Sequence, residues 1–240
     1  HRAMSQYFKV SLASPEIVVE PALDMTLLVE TLNESPDISL TDLSVELVDA
    51  YITRDALSRQ SIDSAYLTHS ATDLAQFNRV HTAIEDFAVI INQNPLQYST
   101  IIGQARANTY TYGAFIGEDN QIDLGHFMGQ IIAYTLDAEL ARAARTVIRA
   151  LELTRLYGNA ANEVADLTTY YSIYFPQNRE SFQQTYFIES DFPEWSQMLR
   201  SYCNAITPQV WAVEDSLLAY HPPIAPEVTV TRVYPAVGNW

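Results

Sequence analysis

A periodic run of apolar residues in the first half of the chain constrains the fold more than any other feature of the sequence. Its members recur every three or four positions over about five helical turns: Leu74, Phe77, His81, Ile84, Ala88 and Ile91. Ser70 and Asp73 stand just before the run, in the arrangement of a helix N-cap. The spacing therefore predicts an amphipathic helix, and its long apolar face needs a packed partner.

The rest of the chain is predicted to be mostly helical, with a few strands. Helices are also expected over residues 25–32, 43–52, 98–106, 122–131, 136–157 and 195–202. Alternating apolar and polar residues predict strands over 8–13 and 228–234, and a stretch rich in Thr, Tyr and Ile predicts another over 167–175. These strands are too few to form an independent sheet whose faces are well covered by other elements.

Composition narrows the possible partners of the chain. It has 240 residues, of which 48% are hydrophobic, so it is expected to fold. With 29 acidic residues against 13 basic ones, the formal charge of −16 would repel a phosphate backbone and argues against nucleic-acid binding. Such a charge would suit a cationic ligand, although an ordinary acidic surface is the favoured interpretation.

Neither a membrane span nor a signal peptide is expected from the sequence. No apolar run reaches the roughly 18 residues that a span requires. The first residues lack the apolar stretch of a signal peptide. The chain opens on His1 without an initiator methionine, which is expected if it begins inside a larger protein or has been cut.

The single cysteine, Cys203, excludes an internal disulfide framework and a thiolate zinc site built from this chain alone. The possible bases for this thiol are five histidines: His1, His69, His81, His126 and His221. Cys203 falls at the C-terminal end of a predicted helix, where the helix dipole disfavours a thiolate. An inert, partly buried thiol is the favoured interpretation, and catalysis by Cys203 is the alternative.

Other polar residues also favour structural roles. His81 lies on an apolar stripe and is expected to be a hydrogen-bonded core histidine, while His126 and residues 119–123 lack the spacing of a metal site. Three arginines, Arg142, Arg145 and Arg149, share one face of the helix predicted over 136–157, which also carries Glu139 and Glu152. A solvated salt-bridge face is expected there. Without a phosphate loop or a nucleophile elbow, these residues alone do not make a catalytic centre.

Several segments nevertheless resemble segments of a known family and follow one another in the same order. Residues 3–13, followed by Ser14, Pro15 and Glu16, resemble the end of a nucleophile helix, the next core strand and the turn behind it. Further similar segments are 27–39, 46–51, 70–74, 122–127, 171–176 and 195–202. Each motif is weak alone, but the ordered series covers nearly the whole chain. It resembles the clostripain-like cysteine peptidases, a bacterial family of the caspase-like clan.

The resemblance implies an α/β fold, the C-terminal part of a caspase-like α/β/α sandwich with an added, mostly helical C-terminal region. Residues 1–70 would complete the caspase-like core and its substrate-pocket loop, and 71–165 would form a helical region. Residues 166–240 would supply the remaining strands, a short helix and a C-terminal strand. In the family the catalytic His and Cys both precede this portion, so no catalytic residue is expected in the chain and the pair should lie upstream of His1.

The resemblance also implies where substrate would be bound. The loop behind the first strand would border the primary specificity pocket, and its substrate-binding residues would be Ser14, Pro15, Glu16, Glu20 and Asp24. Members of the family cleave after Arg or Lys, whose cation pairs with an acidic residue of the pocket. Glu20 and Asp24 are the first candidates for that carboxylate and Glu16 is the third. The alternative is that Glu20 and Asp24 are solvated loop residues, with Asp24 capping the helix that starts at Met25.

The partners implied by the family are the N-terminal catalytic portion of the same protease and a peptide or protein with Arg or Lys at the cleavage site. Nucleic acid and a membrane span are not expected. No cofactor is expected either; some relatives need calcium, but the sequence offers no convincing calcium site. A second hypothesis is a noncatalytic interaction or regulatory module that keeps the caspase-like fold after losing the catalytic pair.

Overall fold

The computed structural model describes residues 4–16, 24–58, 66–113, 120–161, 164–177 and 181–205. The helices are α1 (Met25–Glu34), α2 (Leu40–Ser58), α3 (Phe77–Gln93), α4 (Pro95–Ala107), α5 (Leu124–Tyr134), α6 (Ala138–Thr154), α7 (Gln184–Glu189) and α8 (Pro193–Ala205). The strands are β1 (Val10–Ala13), β2 (Thr68–Asp73), β3 (Thr111–Tyr112), β4 (Gln121–Asp123), β5 (Arg155–Ala160) and β6 (Ser172–Tyr174). The predicted α/β class is confirmed at this level.

The first sheet has the strand order β1-β2-β5, and both pairs of neighbours are antiparallel. β1 runs beside β2 from Val10, opposite Asp73, to Ala13, opposite Ser70. Helix α2 packs on β2 and β5 and buries Val48. Among the described strands β1 is an edge, so the turn behind it lies at the rim of this sheet.

The second sheet is smaller, with the order β3-β4-β6 and antiparallel pairing throughout. Ile122, in its central strand, lies opposite Thr111 on one side and Ile173 on the other. Asp123 ends β4 and caps α5, because its Oδ1 accepts the N–H of His126 at 2.8 Å. The helix predicted over 122–131 is therefore present, although a short strand precedes it.

The main core is formed where α3, α5, α6 and α8 pack together. The apolar face predicted for α3 is confirmed, since Phe77, Ile84 and Ile91 are buried. His81 lies on that helix but is only half-buried, with its Nε2 2.7 Å from the carbonyl oxygen of Asp191. The α3 histidine therefore bonds to the segment before α8 at the border of the core.

The start predicted for α3 is wrong, because residues 68–73 form a strand. Ser70 lies in β2, and its hydroxyl donates to the carbonyl oxygen of Ala13 at 3.4 Å. Asp73 caps a 3₁₀ turn, Leu74–Gln76, through the N–H of Ala75 at 2.9 Å. β1 and β5 pair with the two sides of this segment, and neither partner is adjacent in sequence.

Two other predicted boundaries also move. The helix predicted over 136–157 ends at Thr154, and the chain continues directly as β5. The strand predicted over 167–175 shortens to β6, because residues 168 and 169 bond to Asp123 instead of a strand. The strand predicted over 228–234 lies outside the described residues.

The surface of α6 carries fewer salt bridges than predicted. Within the described part of the chain, its face holds one such contact, with Arg142 Nη2 4.0 Å from Glu139 Oε1. Both side chains are largely exposed, so the pair contributes little to stability. Separately, none of the described helices is both long enough and apolar enough to cross a bilayer.

Candidate functional site

Strand β1 ends in a turn that hydroxyl groups hold in place. Ser14 Oγ lies 3.0 Å from the Thr68 hydroxyl on β2 and accepts the N–H of Glu16 at 3.1 Å. Pro15 lies between the two and restricts the backbone there. The structure therefore brings Ser14, Pro15 and Glu16, all predicted to border a substrate pocket, into one turn at the rim of the first sheet.

Glu16 directs its carboxylate into the protein, and the residue is only 5% exposed. Its Oε1 accepts the Tyr110 hydroxyl at 2.7 Å, and its Oε2 accepts the N–H of Gly113 at 2.9 Å. Gly113 has a φ of 74°, a left-handed conformation that glycine adopts without steric cost. Glu16 thus ties the end of β1 to the β3–β4 hairpin.

Tyr110 is itself fixed by contacts with His126, Asp123 and Tyr112. Its N–H donates to His126 Nδ1 at 3.2 Å, and its carbonyl oxygen accepts the N–H of Asp123 at 2.8 Å. Its ring packs edge to face on Tyr112, with ring centroids 5.1 Å apart. Burial and the hydrogen bond to Glu16 raise the pKa of Tyr110, so its hydroxyl keeps its proton and remains a donor.

His126 links this turn region to α5. Since its Nδ1 accepts the N–H of Tyr110, that nitrogen carries no proton. Its Nε2 lies 3.0 Å from the side-chain amide of Gln130. Burial lowers the pKa of His126 and so favours the neutral ring that this geometry needs. The imidazole thus has a structural role in joining Tyr110 to α5.

Asp123 is the centre of a polar cluster that sequence reasoning missed. It is fully buried, and its Oδ2 accepts the Tyr112 hydroxyl and the N–H of Thr169, both at 2.5 Å. The same oxygen accepts the Thr168 hydroxyl at 3.3 Å, while Oδ1 accepts the Thr169 hydroxyl at 2.6 Å. Burial raises the pKa of Tyr112 well above its usual range, so this phenol also stays a donor. The only local signal was the position of Asp123 at the start of a helix.

Tyr170, directly behind this cluster, has a φ of 71°, which is uncommon for a residue other than glycine. Its ring packs against the Arg155 guanidinium, whose carbon lies 5.3 Å from the ring centroid. Gly158 lets the Tyr170 ring lie close to β5, because a Cβ added at residue 158 would stand 2.7 Å from that ring. The loop that bonds to Asp123 is thereby fixed against β5.

The remaining predicted pocket residues lie apart from the turn 14–16 in sequence. Asp24 caps α1, with its Oδ1 accepting the N–H of Leu27 at 2.9 Å, so the capping role considered for Asp24 is confirmed. Glu20 lies outside the described residues. The structure thus shows the hydrogen bonds of the turn 14–16, and it shows that Asp24 caps helix α1.

Cys203 lies in α8 inside the main core and is 2% exposed. A thiol in this position cannot reach a substrate while α8 is folded, which supports the inert interpretation. His1 and His221 lie outside the described residues. Among the side chains that are described, no group of three or more His, Cys, Asp or Glu residues could hold a metal ion.

His69, in β2, gives the protein a pH-dependent stability. It is 5% exposed, and its Nδ1 has no hydrogen-bond partner among the described residues. Burial lowers the pKa of His69 from 6.5 to about 4. Because the unfolded chain binds this proton at a higher pH than the folded chain does, the stability is complete above pH 6.5 and is lost as the pH falls from 6.5 through about 4.

We expect His69→Phe to remove this loss while keeping a ring packed on Tyr51, whose centroid is 4.7 Å from that of His69. Urea unfolding of both proteins at about pH 8 and about pH 5.5 should show the wild type losing roughly 1.4 kcal/mol relative to the variant. Carboxylates titrate in both proteins and cancel in the comparison. The same pH dependence in wild type and variant would contradict a buried neutral His69.

The candidate site is therefore the polar system that joins the turn 14–16 to the β3–β4 hairpin and Asp123. Its carboxylates accept hydrogen bonds from phenol, threonine and backbone donors within the protein. Such a system can fix the position of a turn, but its described members include no thiol nucleophile. In comparisons with known proteins, no protein-family model matches this chain and no curated protein matches it.

Proposed function

We propose that the chain is part of a clostripain-like cysteine endopeptidase and has the fold of the C-terminal part of a caspase-like sandwich. The ordered series of similar segments, from residue 3 to residue 202, supports this proposal. The observation that carries it is the ordered turn 14–16 behind β1, the segment that would border the pocket. No described strand pairs with the outer edge of β1, and the proposal places an upstream core strand there.

In this proposal the catalytic His and Cys lie upstream of His1. The thiolate attacks the carbonyl carbon of the Arg or Lys residue itself, and backbone amides stabilise the oxyanion. The peptide C–N bond then breaks, the His gives its proton to the leaving amine, and water hydrolyses the thioester to restore the thiol. This chain would border the pocket and support the catalytic portion.

The specificity for a cation would come from a carboxylate in the loop behind β1. A planar carboxylate can accept two parallel hydrogen bonds from an Arg side chain. Glu20 and Asp24 are the residues proposed for this contact; Asp24 would make it while its Oδ1 caps α1 by accepting the N–H of Leu27. Glu16 is less suited to it, because its two oxygens accept hydrogen bonds from Tyr110 and Gly113.

The test uses the full-length protein and peptides that differ only in having Arg, Lys or Ala at the cleavage position. We expect cleavage after Arg. Replacing Glu20 by Gln together with Asp24 by Asn should lower kcat/KM for the Arg peptide about 10- to 100-fold, since a hydrogen bond to a charged group contributes about 1.5–3 kcal/mol. The matched control is Glu30→Gln, which neutralises an exposed carboxylate on α1 and should change little.

The outcomes separate the parts of this proposal. Cys203→Ala should keep the activity, because that thiol belongs to the core. A full-length protein that cleaves after neither Arg nor Lys would overturn the peptidase assignment. So would a gene without His-Gly and Asp-Ala-Cys upstream of His1. An unchanged Arg preference in the double variant would remove only Glu20 and Asp24 from the pocket.

A noncatalytic interaction or regulatory module with a degenerate caspase-like fold is the second candidate. The observation that favours it is the burial of Cys203, the one thiol in the sequence. The gene sequence distinguishes the two candidates, because a reading frame that starts at or near His1 could not encode an upstream His and Cys. In that case we expect no peptide cleavage under any condition that keeps the protein folded.

A further inference from the structure

Glu16 lies in the turn that would border the substrate pocket, yet its carboxylate is directed inward. One oxygen is 2.7 Å from the Tyr110 hydroxyl and the other is 2.9 Å from the N–H of Gly113. With the residue 5% exposed, binding a substrate cation would require these two bonds to break. Leaving buried donors unsatisfied is unfavourable, so the geometry opposes a direct contact between Glu16 and substrate.

The groups that hold Glu16 are well supported by the surrounding structure. Tyr110 bonds through its backbone to His126 and Asp123, and its ring packs on Tyr112. Asp123 in turn bonds to the hydroxyl of Tyr112, which places both tyrosines in one connected network. The hairpin side of the Glu16 contact is therefore fixed independently of the turn.

We infer that Glu16 is a positioning residue, which fixes the turn 14–16 by accepting hydrogen bonds from Tyr110 and Gly113 and does not bind the cation of the substrate. Tyr110, 94 residues away in sequence, is then a positioning residue as well. This inference rests on the proposed function, because it takes the turn to border the pocket. Glu16 would act on specificity through the position of Ser14 and Pro15.

Kinetics of the full-length protein test this role with Glu16→Gln, Tyr110→Phe and the double variant. Each single change should raise KM for the Arg peptide about tenfold, with kcat changed by less than about twofold, because each breaks the same charge-assisted hydrogen bond. For the same reason, the double variant should lose little beyond either single variant. Tyr134→Phe, the same chemical change at an exposed position on α5, is the matched control.

Two results would overturn the inference. If Glu16 bound the cation directly, Glu16→Gln would weaken cleavage of the Arg peptide but not of the Ala peptide, and Tyr110→Phe would leave both intact. If the contact only stabilised the fold, the variants would reduce the amount of active protein, so that kcat would fall while KM stayed the same.

Hydrogen exchange separates this inference from the proposed function. Tyr110→Phe should speed amide exchange about tenfold in residues 11–16 and at Gly113, while Tyr134→Phe should not. If the wild-type protein cleaves after neither Arg nor Lys, the proposed function fails, and faster exchange still establishes the Tyr110–Glu16 anchor. Unchanged exchange in Tyr110→Phe would overturn the anchor whatever the activity.

Discussion

Asp123→Asn is expected to lower the free energy of unfolding by about 3–5 kcal/mol, because one buried carboxylate accepts hydrogen bonds from several elements. Oδ2 accepts the Tyr112 hydroxyl and the N–H of Thr169, and an amide nitrogen in its place would face both donors. Rotating the amide would only move the conflict to the oxygen that accepts the Thr169 hydroxyl and the N–H of His126. Either orientation leaves buried donors without an acceptor.

Urea unfolding followed by far-UV circular dichroism measures this loss. Asp166→Asn is the matched control, since Asp166 is an exposed carboxylate in the nearby turn 164–167, and it should change stability by less than about 0.5 kcal/mol. If Asp123→Asn does not fold, Thr169→Val removes one donor to Asp123 together with the acceptor of the Gly125 N–H, and should cost about 1–3 kcal/mol. A loss below about 1 kcal/mol for Asp123→Asn would contradict its central place in the network.

The helices could be predicted because their signals are local. The apolar spacing of α3 places Phe77, Ile84 and Ile91 on one buried face, and no distant residue is needed to deduce that face. Asp24 could be proposed as a cap for the same reason, since it acts on the N–H of Leu27, three residues away. Helices can therefore be predicted from sequence patterns that repeat within a few turns.

The strands were harder to predict, because their partners are distant in sequence. Segment 68–73 contains Thr, His, Ser and Asp and lacks the apolar alternation of a half-buried strand, yet nearly all of it is buried. Its hydroxyls bond to Ser14, Ala13 and Tyr171, from other parts of the chain. Polar residues that gain such partners can be buried in a strand, which composition and spacing do not report.

The candidate site shows the same difference between local signals and contacts that are distant in sequence. The turn 14–16 was identified from its resemblance to a family turn, and the structure describes it as one ordered unit. The hydrogen bonds of Glu16 to Tyr110 and Gly113 span 94 and 97 residues, so no spacing rule could supply them. The sequence could therefore indicate a segment, whereas the inward direction of the Glu16 carboxylate required the fold.

Trp195 lies in the main core, where its side chain contacts residues from several elements. It has no exposed surface, and its ring meets Phe127 and Phe175 edge to face, with centroids 5.9 Å apart in both pairs. Its indole Nε1 donates to the carbonyl oxygen of Tyr174 at 3.1 Å. Its backbone N–H donates to the carboxylate of Glu85 on α3 at 3.2 Å. The indole thus connects α8 to α5 and to the second sheet.

We expect Trp195→Ala to lower the free energy of unfolding by about 3–5 kcal/mol, since it removes the largest fully buried side chain of the described residues and leaves a cavity among aromatic rings. Trp195→Phe should cost less, about 1–3 kcal/mol, because it keeps an aromatic ring but deprives the Tyr174 carbonyl of its donor. Leu96→Ala, at a position 75% exposed on α4, is the control for loss of an apolar side chain outside the core. Urea unfolding should rank the three variants in that order. If Trp195→Ala were no worse than Leu96→Ala, the cluster of Trp195, Phe127 and Phe175 could not be the centre of the core, because emptying such a centre cannot leave stability unchanged.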